Sequence, residues 1–132
     1  MDMMAIRRRV LMASRERKSK NLIPPFDYPN AWGNGYIQGS GNIAASNNYR
    51  YLINPIEILS DTDYTLSASN GAWMGIIYYN SNMQKVDFKE AATNSVTLKS
   101  PSDAVYARVY LQITLQDYMF EQGSSRSDYE PY

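Results

Sequence analysis

One stretch, residues 72–79, restricts the fold more than any other part of the chain. It reads Ala-Trp-Met-Gly-Ile-Ile-Tyr-Tyr and lies between the turn formers Asn70-Gly71 and Asn80-Ser81-Asn82. A short apolar run rich in β-branched and aromatic residues, with turn signals on both sides, is typical of a β-strand. Successive side chains of a strand point to opposite sides. The predicted core side carries Met74, Ile76 and Tyr78, and the other side carries Trp73, Gly75, Ile77 and Tyr79.

Strand patterns of the same kind recur through the chain, and no helical periodicity follows residue 20. The predicted strands are residues 21–25, 49–53, 56–59, 64–68, 72–79, 83–88, 95–99, 105–113 and 118–122. Short strands with turn signals about every eight to twelve residues predict an all-β antiparallel sandwich or barrel. Residues 27–48, rich in Asn, Gly and Ser, are predicted to form a long loop with at most one short strand.

The chain has 132 residues, no cysteine and no histidine. This length predicts a single globular domain, and the missing residue types exclude disulfides, thiolate metal sites and nucleophile–histidine catalysis. The carboxyl groups that could act in a glycosidase are Asp61, Asp63, Asp87, Glu90 and Asp117. Most of them lie in predicted turns, where Asp is common for backbone reasons, and Asp61-Thr62-Asp63 offers too few ligands for a calcium loop. We therefore expect a protein that is not an enzyme, with no metal or cofactor.

Charge is distributed unevenly although the formal net charge is zero. Residues 1–20 contain seven Lys/Arg and two acids, whereas residues 21–132 contain six Lys/Arg and eleven acids. Met3, Ile6, Val10 and Ala13 recur at spacings of three and four, which predicts a short basic amphipathic helix. A helix of this length is marginal alone, so residues 1–20 are interpreted as an anchoring or oligomerisation arm on the domain of residues 21–132. A basic tail without structure is the alternative.

Membrane insertion, secretion and nucleic-acid binding are not indicated by the sequence. No apolar run approaches the roughly 20 residues of a membrane helix. Arg7-Arg8-Arg9 precedes only four apolar residues, which is too short for a secretory signal. The basic residues lack interleaved aromatics or a nucleic-acid-binding motif. A protein of this kind acting outside a cell is expected to be released by lysis, as part of an assembled particle.

Five motifs in order resemble the small jelly-roll modules of tailed-phage tail, baseplate and fibre proteins, which are often classed as carbohydrate-binding. They are Asn21-Leu22-Ile23, Tyr64-Thr65-Leu66-Ser67 after Pro55, Tyr79-Asn80-Ser81-Asn82, Pro101-Ser102 with Ala104, Tyr106 and Arg108-Val109, and Glu121 with Gly123-Ser124 and Tyr129-Glu130-Pro131-Tyr132. The resemblance covers residues 21–132. The loop around Trp32 is not a constant feature of such modules.

The resemblance implies a two-sheet antiparallel jelly-roll sandwich and a virion protein that binds a bacterial cell-surface glycan. Residues 1–20 would then attach the module to other virion proteins or to sister subunits in a homo-oligomer. The alternative is a structural or decoration protein of the virion that uses the same fold for protein–protein assembly, because jelly rolls serve both roles.

The candidate ligand-binding residues are Trp73, Tyr79, Arg108, Tyr110, Trp32 and Tyr36. Alternation in residues 105–111 places Val105, Ala107, Val109 and Leu111 in the core and the side chains between them on the opposite side. If this strand neighbours residues 72–79, as the resemblance implies, its Arg108 and Tyr110 share one face with Trp73 and Tyr79. Aromatic rings stack on sugars, and a guanidinium donates to hydroxyls or carboxylates. Soluble proteins rarely leave a patch of aromatic side chains exposed to water, so we expect a ligand or another part of the protein to cover these residues. A saccharide is the favoured cover, and a neighbouring subunit or the Trp32 loop are the others.

Overall fold

The computed structural model describes residues 19–132, and every regular element in them is a β-strand. The strands are β1 (Trp32–Ile37), β2 (Ile43–Leu52), β3 (Ile56–Glu57), β4 (Asp63–Tyr79), β5 (Lys85–Lys99), β6 (Tyr106–Gln112) and β7 (Met119–Gln122). All strand pairings are antiparallel, so the all-β prediction is confirmed for this part of the chain. The helix predicted for residues 1–20 lies outside the described residues, except for Ser19 and Lys20, which are not helical.

β4 is the longest strand, with 17 residues, and it organises the sheet. The strand order is β1-β2-β6-β4-β5, and β3 and β7 pair additionally with β6 and β4. Tyr64–Ser67 of β4 pairs with β7, whereas Met74–Tyr79 pairs with β6. β5 follows β4 along both parts. Among the residues that the structure describes, none form a helix with the length and apolarity of a membrane span.

A bulge in β4 marks the point where its neighbour changes. The register with β5 moves from Ser67↔Ser95 to Ala72↔Thr93, so residues 68–71 of β4 face only Asn94 of β5. The Asn70 amide holds the bulge, because Nδ2 donates to the Thr114 carbonyl and Oδ1 accepts from the Gln116 N–H, each at 2.8 Å. The sequence pattern predicted two strands in place of β4 and two in place of β5. That division was wrong, since Asn70-Gly71 forms a bulge and not a chain reversal.

The predicted alternation of β4 and β6 is confirmed on the core side. Six side chains there have no exposed surface: Met74, Ile76, Tyr78, Ala107, Val109 and Leu111. They pack with Leu66 and Phe120 in one apolar cluster. Val105 was predicted to join them, which was wrong, because it precedes β6 and is 37% exposed. Its N–H donates to the Tyr79 carbonyl at 2.8 Å, so the backbone continues the ladder although the side chain leaves the core.

Residues 27–48 form most of the β1–β2 hairpin, so their prediction as a long loop was wrong. Two of the glycines that suggested a loop, Gly33 and Gly35, are close-packing positions. A Cβ on Gly33 would lie 2.4 Å from the Tyr51 ring, and a Cβ on Gly35 would lie 2.4 Å from the Ala44 carbonyl oxygen. A register shift follows Asn34, where the hairpin bends. Glycine here permits close approach of a neighbouring strand.

Residues 21–25 are not a strand, contrary to the prediction, although they run beside β7. The Leu22 N–H donates to the Phe120 carbonyl at 2.8 Å. The Asn21 side chain replaces further ladder bonds, because its Oδ1 accepts from the Phe120 N–H and its Nδ2 donates to the Tyr118 carbonyl, each at 3.2 Å. Pro24 and Pro25 have no N–H to donate, and the segment therefore ends there as an irregular edge.

Candidate functional site

The side of the sheet opposite the core carries a second cluster that is rich in tyrosine, and we call this side the aromatic face. It is formed by β1, β2, β6, β4 and β5 and includes Tyr36, Tyr51, Trp73, Gly75, Ile77, Tyr79, Tyr106, Arg108 and Tyr110. The predicted pairing of β6 with β4 is confirmed: Tyr110 lies opposite Gly75, Arg108 opposite Ile77, and Tyr106 opposite Tyr79. The structure therefore places Tyr79, Arg108 and Tyr110 on one face, as expected.

Tyr110 forms the floor of the aromatic face and is 2% exposed. Its ring lies over Gly75, where an added Cβ would be 2.3 Å from the ring. The rings of Tyr36 and Tyr49 cover it, with centroids 6.0 Å and 5.9 Å away. The Tyr110 hydroxyl donates to Glu90. Burial and then this carboxylate raise the pKa of Tyr110 well above its ordinary value, so the hydroxyl remains a donor at any physiological pH.

The β1–β2 hairpin folds back over part of this face. Ile37 has no exposed surface and belongs to the same apolar cluster as Ile77. Gly39, in the hairpin turn, lies against Phe88, and the Lys85 ammonium donates to the Gly39 carbonyl. Because β1 and β5 are at opposite sides of the strand order, the hairpin must cross β6 and β4 to reach β5. The chain itself thus covers aromatics for which the sequence analysis favoured a saccharide cover.

Tyr79 and Arg108 lie at this covered end. Tyr79 is only 5% exposed, and the Arg108 guanidinium carbon is 5.6 Å from the centroid of its ring. Within residues 19–132, neither the Tyr79 hydroxyl nor the Arg108 Nε has a hydrogen-bond partner, and both atoms are buried. Burial raises the pKa of Tyr79, and the nearby Arg108 charge opposes that rise. Buried polar atoms of this kind normally have hydrogen-bond partners in native proteins.

Trp73 lies at the opposite end of the aromatic face, which is open. Its side chain is 44% exposed, and its cross-strand neighbour on β5 is the small residue Ala92. The backbone N–H of Trp73 donates to the side-chain oxygen of Gln112 at 3.0 Å, and Gln112 in turn lies opposite Tyr49 of β2. We call Trp73, Gln112, Tyr49 and Glu90 the open end. An exposed ring beside an amide, a hydroxyl and a carboxylate can stack on a sugar and bond its hydroxyls.

Trp32 lies apart from the other candidate residues. Its indole Nε1 donates to the Pro24 and Pro25 carbonyls at 3.2 Å and 3.0 Å. Its ring packs edge-on against Phe26, with centroids 5.1 Å apart, on the core side of the molecule. Tyr36, from the same predicted loop, does join the aromatic face. The structure therefore brings together five of the six candidates on that face and places Trp32 elsewhere.

Tyr49 and Gln112 are residues of the open end that the sequence analysis did not select. Alternation could have suggested Tyr49, which is two residues before Tyr51 in a predicted strand. Gln112 carries no comparable signal, because its role depends on its register opposite Tyr49. Glu90 was considered only as an acid, and in the structure it accepts the Tyr110 hydroxyl.

The other carboxylates considered for catalysis have local roles or turn positions. Asp61 and Asp117 have positive φ values of 51° and 48°, which Asp tolerates in turns. Asp87 accepts the N–H of Phe88 at 2.8 Å. In the described part of the chain, no group of three or more acidic residues could hold a metal ion.

Comparison with known proteins finds no matching family model and no similar curated protein. Among solved structures, the chain is similar to one described as "Glycosylation Associate Protein (Gap123) complex from Streptococcus agalactiae". The alignment has 13% sequence identity and a TM-score of 0.36, and it covers 83% of this chain and 47% of that one. This chain thus spans about half the length of that protein. A similarity this low carries no argument about function.

Proposed function

We propose that residues 21–132 form a jelly-roll carbohydrate-binding module of a phage virion, which helps the particle adhere to a bacterial cell-surface glycan. The observation that carries this proposal is the open end: Trp73 is 44% exposed beside Gln112, whose side chain is fixed by the Trp73 N–H. A jelly roll is supported by β4, which pairs with β7 through its first part and with β6 through its last part.

Binding at a single open end is expected to be weak. A shallow aromatic platform contributes about 1–2 kcal/mol per ring beyond the loss of freedom on binding. Useful adhesion would require many copies on one particle, which is the avidity that a virion provides. Residues 1–20 would supply the attachment to other virion proteins or to sister subunits, because their net charge is positive whereas that of residues 21–132 is negative. The protein would act outside the cell after lysis, without catalysis.

A structural role in the virion, without a sugar site, is the second candidate. One observation favours it: the hairpin, through Ile37 and Gly39, already covers Ile77 and Phe88, so part of the aromatic face is used for internal packing. In that case the open end would contact a neighbouring protein, and no glycan would bind there.

The test is binding of the full chain to an array of bacterial cell-wall glycans, comparing wild type with Trp73→Ala. We expect binding to fall at least tenfold in the variant, which corresponds to about 1.4 kcal/mol. Tyr129→Ala is the matched control, because Tyr129 is 43% exposed and lies outside the aromatic face. Absence of glycan binding by the wild type, or equal losses in the two variants, would favour the structural role.

A further inference from the structure

Two buried polar atoms at the covered end of the aromatic face have no partner among the described residues, the Tyr79 hydroxyl and the Arg108 Nε. Native structures satisfy nearly all such groups, and each exception requires an explanation such as a water or a ligand. The two atoms belong to adjacent strands and to side chains in contact, because the Arg108 guanidinium carbon is 5.6 Å from the centroid of the Tyr79 ring. One shared partner could therefore satisfy both.

The chemistry of the two atoms specifies that partner as an acceptor. The Nε–H of arginine can only donate, and a tyrosine hydroxyl donates as readily as it accepts. Lys85 of β5 also lies opposite Tyr79 and adds a positive charge nearby, although its ammonium donates to the Gly39 carbonyl. Glu57 of β3, which lies opposite Tyr106 of β6, does not bond either of the two atoms. An oxygen with negative charge accepts from both donors and gains from both cations.

We infer that the Tyr79–Arg108 pair is a subsite for an anionic group of the bound glycan, a carboxylate or a phosphate. The inference rests on the proposed function, because it takes the ligand to be a glycan. Arg108 and Tyr106 are partly exposed, whereas the two unpartnered atoms are buried, so an anionic group reaches them only when these side chains move aside. Arginine suits this role because its planar fork binds carboxylate and phosphate oxygens in pairs.

The test uses the full chain and three small probes: methyl glucuronide, glucose 1-phosphate and the neutral methyl glucoside. Binding is followed in ¹H–¹⁵N NMR spectra through the side-chain Nε–H of Arg108. We expect this resonance to shift with one or both anionic probes and to remain in place with methyl glucoside. The two anionic probes distinguish a carboxylate from a phosphate preference. No shift with either of them overturns the subsite.

Tyr79→Phe separates a binding role from a structural role. Its hydroxyl has no partner in the described residues, so removing it should leave the melting temperature unchanged or raise it. Affinity for the preferred anionic probe should nevertheless fall at least fivefold. A lower melting temperature with unchanged affinity would show that the hydroxyl serves the fold and would overturn the inference.

Arg126→Gln provides the matched control for Arg108→Gln. Arg126 also lies over a tyrosine ring, with its guanidinium carbon 5.8 Å from the centroid of Tyr129, but it donates to the Ser67 hydroxyl. We expect Arg108→Gln to abolish the preference for the anionic probe over methyl glucoside and Arg126→Gln to retain it. Equal effects of the two variants, or a crystal structure with only a water on both atoms at saturating probe, would overturn the subsite.

Failure of this inference and failure of the proposed function give different results. If glycans bind through Trp73 but the Arg108 resonance does not respond to anionic probes, the function stands and the subsite is wrong. If the Arg108 resonance responds but no cell-wall glycan binds the chain, the anion site stands and its assignment to a glycan is wrong.

Discussion

The two ends of the aromatic face lie on the same strand and the same side of it, and yet they are different environments. At the covered end, Ile77 has no exposed surface and Tyr79 is 5% exposed, whereas Trp73 at the open end is 44% exposed. Alternation along β4 places Trp73, Ile77 and Tyr79 on the same side of the sheet, because they are separated by four and two residues. The difference comes from the β1–β2 hairpin, which reaches Phe88 and leaves Trp73 uncovered. A strand's second face can therefore hold a second core and an exposed surface side by side.

The largest expected effect compares Ile77 with Ile76, its neighbour on the core side. Both have no exposed surface. If the hairpin makes the covered end a true second core, Ile77→Ala should lower the free energy of unfolding by about 2–5 kcal/mol, as Ile76→Ala should. Trp73→Ala should lower it by less than Ile77→Ala, because Trp73 is 44% exposed and so loses less buried area. Urea unfolding of the three variants measures this.

Two outcomes of that experiment would contradict the comparison. If Ile77→Ala is as mild as Trp73→Ala, the hairpin does not pack on the face in solution. If Trp73→Ala is as severe as Ile77→Ala, the open end is part of the packed interior and is not available to a ligand.

A smaller effect is expected at Gly75, which lies between the two ends. Gly75→Ala places a Cβ 2.3 Å from the Tyr110 ring, so the ring must move and its bond to Glu90 is disturbed. We expect a loss of about 1–3 kcal/mol in the free energy of unfolding, as for other overpacked sites. Gly71→Ala is the control, because its Cβ would make only ordinary contacts, the nearest at 3.7 Å. Similar stabilities of the two variants would mean that Tyr110 is not fixed over Gly75.

The smallest expected effect is on the pH dependence of stability and concerns Tyr118, which lies outside the aromatic face. Its pKa can be compared with those of the tyrosines within that face. Burial raises the pKa of Tyr118 to about 12, with a further contribution from the Asp27 charge. The unfolded chain ionises this residue near its ordinary value of about 10, and so binds fewer protons than the folded chain between these pH values. Its stabilising contribution is complete below pH 10 and is lost as the pH rises through 12.

Tyr118→Phe should therefore remove about 1–2 kcal/mol of the stability that the protein loses between pH 9 and pH 12. The variant should still lose some stability between these pH values, because the pKa values of Tyr78, Tyr79 and Tyr110 are also raised in the folded protein. Urea unfolding at the two pH values measures the difference, and ultraviolet absorbance follows ionisation. An unchanged pH dependence in the variant would show that Tyr118 ionises as readily in the folded protein as in the unfolded chain.

Much of the fold was accessible from local patterns. The apolar runs at residues 72–79 and 105–111 identified β4 and β6, and alternation within them separated core residues such as Ile76 and Val109 from Arg108 and Tyr110. Patterns of this kind depend only on the period of the strand and on turn residues, which are properties of neighbouring positions. The ends of the strands were harder to predict, because Asn70-Gly71 can form either a turn or a bulge. The bulge is stabilised by hydrogen bonds between the Asn70 side chain and the backbone of Thr114 and Gln116, which are distant in sequence.

The sequence by itself determined the strand class and which side chains share a face, because both follow from periodicity along the chain. Only the tertiary structure decided what covers that face. Gly33 and Gly35 read as loop residues until Tyr51 and the Ala44 carbonyl are placed against them. Trp32 was grouped with Tyr36 by proximity in sequence, and yet the two rings, on either side of the register shift after Asn34, pack in different clusters. Cover and contact depend on residues far apart in the chain, and their positions are fixed only when the hairpin packs across β6 and β4.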